Sequence, residues 1–386
     1  MESFTFGYPV KVYFGEKAAK KNLPAEFAKI GENVLLAYGG GSIKKNGVYD
    51  ELVELLKAAG KKITEFTGIM SNPTYEKVQE GAKLAKDNQI DFILAVGGGS
   101  VIDCCKVISA QAKLDKDIWD YEYTEQGVPT SFIPMGAVVT AFGTGAEMNN
   151  GAVITNEEKK SKSPLWGAFY DFAILDPAYT MTMPMKQVIS GAFDSLSHSM
   201  ETYMGSPREI NLSDEINEAT QRNIIRNIRE TLKQPDDIQA RSELIWAAAM
   251  AENGILKIGK VTDFQCHMLE HQLGAYTDCN HGQGLAVLHP VLYRHMLPEA
   301  SHQFARLAVE VWGADPAGKS EEELANVFVK ELAAFIKEIG LPTTFAEMNI
   351  AADTDFKAIA DTTILTGGCA KKFTREELLK VLLACR

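Results

Sequence analysis

The sequence predicts an α/β N-terminal domain built on a parallel sheet, followed by an all-α C-terminal domain. Three observations lead there: strand and helix patterns alternate up to about residue 180, strand patterns nearly vanish after Pro184, and the chain is 386 residues long. Single cores rarely grow much beyond about 250 to 300 residues, so two domains are expected. The strand patterns are the apolar, β-rich runs KVYFG, NVLLAYGGG, KITEFTG, FILAVGGG, TSFIPMGA and FAILDP, with helical spacing at 47 to 59 and 74 to 87 between them. Such alternation forms a parallel sheet covered by helices. Beyond Pro184 the stretches 185 to 204, 209 to 233, 238 to 256, 261 to 275, 299 to 313, 320 to 339 and 374 to 385 carry helical periodicity. The switch at TMPMK sets the domains at 1–183 and 184–386.

Composition narrows the partners. A net charge of −12 and a pI near 5.2 argue against the basic footprint of a nucleic-acid binder, so small molecules are the expected partners. The start MESFTFGYPVKVYFG has no basic segment leading into a long apolar run, and no stretch of about 18 apolar residues occurs, so no membrane association is expected. Six cysteines without a C-x-x-C pair or an even framework read as reduced thiols in the cytoplasm, none needing a functional role.

Two glycine runs close strand patterns. FILAV ends in Gly97-Gly98-Gly99-Ser100 and leads into VIDCCKVISAQA, a helical pattern with Asp103 in its first turn. A strand, glycine turn and helix start can aim backbone N–H groups at a phosphate, while an ordinary tight turn that needs positive φ explains the glycines equally well. The run is not G-x-G-x-x-G, so the usual Rossmann fingerprint is absent. Gly39-Gly40-Gly41-Ser42 follows NVLLAY and precedes Lys44 and Lys45. The 58 residues from Gly39 to Gly97 span about two strand–helix units, so both loops can open on the carboxyl edge of one sheet, where α/β folds bind ligands. No acidic side chain ends the first of these strands, and Ser42 with the two lysines suits a ribose 2′-phosphate, which favours NADP(H) over NAD(H). The alternative is that Lys44 and Lys45 merely solvate a helix start.

Four of the seven histidines join one aspartate in a sparse pattern: Asp194-x3-His198, His267-x3-His271, and His281 ten residues later. Spacing of four puts both members of a pair on one helix face. Carboxylate oxygen with imidazole nitrogen is a ligand set for Fe2+ or Zn2+. Each member also has an ordinary reading. Asp194 and His198 lie opposite the apolar stripe of Val188, Ala192 and Leu196, as a solvated polar face would. His267 and His271 flank Phe264 and Met268 as buried histidines do, and His281 sits in a loop-like Asp278–Gly284 segment. His267-Met-Leu-Glu270-His271 also matches H-x-x-E-H, an inverted zincin motif with Glu as general base. A protease leaves both glycine loops, Asp194 and His198 unused, so Glu270 is assigned a structural or solvated role.

With these residues in place, the chain resembles the iron-containing, group III alcohol dehydrogenases, and within them the butanol dehydrogenase or broad aldehyde reductase branch. The resemblance runs nearly end to end: PVKVYFG, SNPTYEKV at 71 to 78, Gly97 to Ser100 with Asp103, LDP at 175 to 177, Asp194 with His198, and His267 through His281. It implies a dinucleotide-binding N-terminal domain, a helical C-terminal domain and an active site in the cleft between them. It further implies Asp194, His198, His267 and His281 as metal ligands and His271 beside the nicotinamide in substrate or proton handling. Gly39, Gly40, Gly41, Ser42, Asn72, Gly97, Gly98, Gly99, Ser100 and Asp103, with Thr140 and Thr144 of TAFGTGAE, match the cofactor-binding segments, and Lys160 or Lys162 matches a lysine near the cofactor. In the branch with GGGS at the second strand the cofactor is NADP(H). Many relatives have a proline where this chain has Val138 or Val139. The implied activity interconverts short-chain aldehydes and primary alcohols, in a homodimer joined through the strand around Val10 to Phe14. A dehydroquinate synthase-like lyase on the same architecture is the alternative, and it requires a basic cluster that is not seen near 250 to 290.

Overall fold

The computed structural model describes residues 2–386 and divides into two compact units, Gly7–Pro184 and Met185–Arg386, the latter joined by the segment up to Phe6. In the first unit the strands are β1 (Lys11–Phe14), β2 (Asn33–Tyr38), β3 (Lys62–Phe66), β4 (Phe92–Gly97), β5 (Met135–Val139), β6 (Gly151–Asn156), β7 (Ser161–Trp166) and β8 (Phe172–Leu175). Its helices are α1 (Ala18–Phe27), α2 (Ser42–Lys45), α3 (Val48–Ala58), α4 (Tyr75–Asp87), α5 (Gly99–Gln111), α6 (Ile118–Tyr123) and α7 (Pro177–Thr180). Six strands form one sheet in the order β1-β8-β5-β4-β2-β3, every pair parallel. They are the six apolar runs that the sequence marks as strands. The interior strands β2 and β4 are apolar along almost their whole length because helices cover both faces of a parallel sheet.

The strand order places the glycine loops. From β2 the chain moves outward to β3, and from β4 it moves the opposite way to β5, so the turns after β2 and β4 leave adjacent strands in diverging directions. That is the topological switch point at the carboxyl edge where α/β sheets open a crevice. The hairpin β6–β7 stands outside the main sheet, antiparallel, with Thr155 opposite Lys162. The sequence gives no expectation of it, because the lysine-rich NEEKKSKSP tract conceals the two-residue alternation.

The second unit is helical: α8 (Met185–Tyr203), α9 (Leu212–Lys233), α10 (Ile238–Glu252), α11 (Gln265–Thr277), α12 (His281–Glu310), α13 (Glu321–Glu338), α14 (Phe356–Thr362) and α15 (Arg375–Ala384). Helix α8 packs against α9, α10 and α12 and is buried almost all round. The alternative of a solvated face at Asp194 and His198 does not hold: both are buried, because neighbouring helices cover the polar side as well as the apolar one. A second correction concerns His281, which opens a helix of 30 residues instead of lying in a loop. Gly282, Gly284, Pro290 and Pro298 hide that helix in the sequence. Its start is fixed by Asn280, whose side chain accepts from the Gln283 N–H at 3.1 Å. All six cysteines are thiols, and among the described residues no helix is long and apolar enough to cross a membrane.

One contact in the sheet is checkable. Gly136 in β5 lies opposite Phe172 in β8, and a Cβ at Gly136 would come within 2.2 Å of the Phe172 ring. Phe172 is buried and stacked on Phe92. Gly136→Ala should therefore destabilise the protein by about 1 to 3 kcal/mol through overpacking, read as a lower urea midpoint with unchanged slope.

Candidate functional site

The glycines of the β4–α5 turn serve close approach, since Gly97, Gly98 and Gly99 do not occupy the positive-φ region. A Cβ on Gly97 would meet Val101 at 2.5 Å, one on Gly98 would meet Ala141 at 3.0 Å, and one on Gly99 would meet the Thr144 hydroxyl at 2.4 Å. The turn and the Thr140–Thr144 segment thus lie against each other, and the Thr140 N–H donates to the Gly97 carbonyl at 2.9 Å. Helix α5 starts in a partly exposed turn with no side-chain cap. Gly39 sits beside the same structure, where an added Cβ would lie 3.8 Å from Val101, and Gly41 at φ 90 turns the chain into α2. Asn72, also left-handed at φ 50, precedes Pro73, whose carbonyl accepts from the Thr155 N–H at 2.9 Å.

Asp103 is largely buried, and its carboxylate accepts from the Val153 N–H at 2.9 Å. Lys106, one turn on and fully buried, donates to Asn149 Oδ1 at 3.0 Å and the Gly151 carbonyl at 2.6 Å, with Asp103 at 3.7 Å. This lysine, overlooked in the sequence, clamps the β6–β7 hairpin to α5; the three-residue spacing from Asp103 was its signal. Of the two candidate lysines, Lys160 is exposed and Lys162 is buried, with its charge acting on Asp103.

The loop after β2 differs from expectation in one respect. No acidic residue ends β2, but Glu65 on the neighbouring β3 accepts from Tyr38 and from Tyr49 at 2.6 Å, and pairs with Lys44 at 3.3 Å. These tyrosine hydroxyls and the lysine hold its carboxyl below the usual range. Lys44 is therefore engaged by an anion one strand away, which the sequence separates by 21 residues.

In the second unit three helices bring four histidines together. Helix α8 carries Asp194 and His198, α11 carries His267 and His271, and His281 begins α12. Ligand atoms of Asp194, His267 and His281 all lie within 4.8 Å of one another. From Asp194 Oδ1 the distances are 3.3 Å to His281 Nε2, 3.5 Å to His267 Nε2 and 3.9 Å to His198 Nε2. His198 stacks on the His267 ring at 4.5 Å but falls outside the tightest set. His271 stands beside the group, its ring 5.4 Å from His281 and 6.0 Å from His267.

Behind these rings stand two buried carboxylates. Glu201 Oε2 lies 2.6 Å from His267 Nδ1, and Glu270 Oε2 is hydrogen-bonded to His281 Nδ1. Glu270 is fully buried, which corrects the solvated alternative in favour of the structural one. Burial would raise the Asp194 carboxyl, but the surrounding imidazoles hold it well below the ordinary carboxylate range. Burial also opposes charge on His267, yet Glu201 and Asp194 push it up to about 10. His198, with burial dominant, is lowered to about 4. Asp194 Oδ1 and His267 Nε2 are buried and make no hydrogen bond, the condition expected of atoms that face a cation. The donor set fits Fe2+ or Zn2+.

Two family descriptions together span nearly the whole chain: iron-containing alcohol dehydrogenase over residues 9–177, and the C-terminal region of the Fe-containing alcohol dehydrogenase family over 188–385. The chain belongs to this family of oxidoreductases, and membership implies a nicotinamide cofactor and a divalent metal. It is 39% identical to the probable NADH-dependent butanol dehydrogenase 1 of Bacillus subtilis over 100% of both chains. It is 33% identical to the NADPH-dependent aldehyde reductase YqhD of Escherichia coli over 91% of this chain and 90% of that protein. The crystal structure of NADH-dependent butanol dehydrogenase A from Thermotoga maritima superposes with a TM-score of 0.93 at 34% identity, covering 100% of this chain and 99% of that one. The match is to alcohol dehydrogenases, and neither a peptidase nor a lyase is needed to account for the fold.

The charge states give a test. His267 is cationic below about pH 10, so a metal at Asp194 must displace its proton, and His281, also raised, acts in the same direction. His198 is already neutral and contributes none. Lower pH thus weakens binding, and the Co2+ affinity should rise at least roughly tenfold per unit between about pH 6 and 8. A pH-independent affinity would contradict this arrangement.

Proposed function

We propose that the chain interconverts short-chain aldehydes and primary alcohols by hydride transfer, with NADP(H) preferred over NAD(H). A divalent cation would be held by Asp194, His198, His267 and His281. The observation that carries this reading is the buried carboxylate oxygen of Asp194 facing the Nε2 atoms of three histidines. When bound, the cation supplies a Lewis acid for the substrate oxygen, on which negative charge grows during carbonyl reduction. A nicotinamide bound at the glycine turns would supply the hydride.

The chain's own residues bind and orient. The turn Gly97–Ser100 offers the N–H groups of α5 to the pyrophosphate, with Thr140 and Thr144 alongside and Asp103 and Lys162 behind the turn. Asn72 and the Gly39–Ser42 loop flank the same edge and would receive the adenosine end. Ser42, Lys45 and, once released from Glu65, Lys44 suit a 2′-phosphate. His271, buried next to His281, would hand a proton to the nascent alkoxide. The domains 1–183 and 184–386 would divide these tasks, nucleotide to the first and cation to the second. A cytoplasmic homodimer fits the reading, since β1 is an edge strand of the sheet with one side open to pairing.

The testing assay follows reduced-nicotinamide absorbance with butanal, using NADPH and NADH in turn on metal-stripped and Fe2+- or Zn2+-reloaded protein. Reloading should restore turnover, and His267→Ala should abolish it while NADPH still binds; full activity of the stripped variant would refute the assignment. NADPH should give the higher kcat/KM, and Glu65→Gln, by releasing Lys44, should widen the NADPH:NADH ratio by about two- to fivefold. Equal rates with both cofactors would sink the 2′-phosphate argument.

A further inference from the structure

The H-x-x-E-H motif places Glu270 between two histidines, and the reaction described above gives that glutamate no part. Its position is nonetheless built with care. Glu270 is fully buried, its Oε2 bonds His281 Nδ1, and its Oε1 accepts from the Cys279 thiol at 3.7 Å. Room for the carboxylate exists because residue 284 is glycine: a Cβ there would stand 2.9 Å from both Cγ and Oε1 of Glu270. Glu201 plays the matching part on the other side. Its Oε1 accepts from the Cys266 N–H at 2.7 Å, and its Oε2 lies 3.3 Å from the His267 N–H and 2.6 Å from His267 Nδ1.

In the neutral ring that would hold a cation, a carboxylate accepting at Nδ1 keeps the proton on that nitrogen, which leaves Nε2 with its lone pair directed away from the glutamate. In both rings that direction is toward Asp194 Oδ1, at 3.5 Å for His267 and 3.3 Å for His281. His198 is different. Its Nδ1 is buried and makes no hydrogen bond, and its Nε2 stands farthest from Asp194, at 3.9 Å.

We infer that Glu201 and Glu270 are positioning residues of the metal centre, each fixing the tautomer and aim of one histidine. The centre then has two braced histidines and one, His198, whose Nδ1 meets no carboxylate. Outer-shell carboxylates of this kind typically change metal affinity by roughly ten- to a hundredfold when removed. The inference rests on the proposed cation at Asp194 and goes beyond it by ranking the ligands and assigning Glu270.

The test uses the full chain, stripped of metal, with Co2+ affinity measured by chelator competition and the visible absorption of bound Co2+ recorded. Glu201→Gln and Glu270→Gln should each weaken Co2+ roughly ten- to a hundredfold and change the visible bands. The fluorescence-detected affinity for NADPH should stay near that of the unmodified protein. Gly284→Ala displaces the Glu270 carboxylate without removing its charge and should weaken Co2+ in the same direction, which provides a second route if a glutamine variant folds poorly. His198→Ala should cost less affinity than His267→Ala or His281→Ala. Co2+ affinities of both glutamine variants within twofold of the unmodified protein would overturn the bracing, as would a larger loss from His198→Ala than from His267→Ala. Failure of the unmodified protein to bind Co2+ would overturn the cation reading itself and this inference with it.

Discussion

A carboxylate taken out of water must be met by opposite charge or by hydrogen bonds, and Asp194 meets that demand through the imidazoles around it. Much of the second unit answers to this constraint. Helix α8 carries Asp194, His198 and Glu201 on successive turns, so one rigid element positions two members of the proposed ligand set and a carboxylate that meets His267. Helix α11 brings His267 and Glu270 to the same place. The start of α12 is tied to α8 twice, by the Ser190 hydroxyl donating to Asn280 Oδ1 at 2.5 Å and by Gly282, where a Cβ would stand 2.2 Å from the Ser190 carbonyl. His281 is thereby fixed at the first helical position, with its ring against Asp194.

Glycine has the same task in both units: it lets backbone and side chain come closer than a Cβ permits. At 97 to 99 it seats the turn against Val101, Ala141 and Thr144, and at 282 and 284 it seats a helix start against Ser190 and Glu270. The ordinary expectation that a glycine run marks positive φ fails at 97 to 99. It holds at Gly41, in the other loop of the switch point.

Sequence made the main sheet legible because its strands are short, apolar and separated by helical spacing, the pattern of strands buried on both faces. Spacing made the pairs Asp194/His198 and His267/His271 legible, since i and i+4 on a helix share a face, whereas only the resemblance joined His281 to Asp194, His198 and His267 and set His271 apart. What spacing could not reveal was burial. Asp194 and His198 have the wheel position of a solvated face, and only the packing of α9, α10 and α12 around α8 shows otherwise. Glu270 was hidden by a motif with another meaning, and Glu201, three residues after His198, by its look of an ordinary helical glutamate. Glu65 was hidden because its partner Lys44 lies on a different strand–helix unit. The start of α12 was hidden by glycine and proline, which lower helix propensity locally whatever tertiary contacts demand.

The position of a metal in a crystal of the zinc-loaded protein, located by anomalous scattering at the zinc edge, bears most directly on the buried carboxylate and its histidines. One strong peak is predicted, at roughly 2.0 to 2.2 Å from Asp194 Oδ1 and from the Nε2 atoms of His267 and His281. A peak at the neighbouring Glu201, Cys266 and His289 group, or none near Asp194, would contradict the assignment.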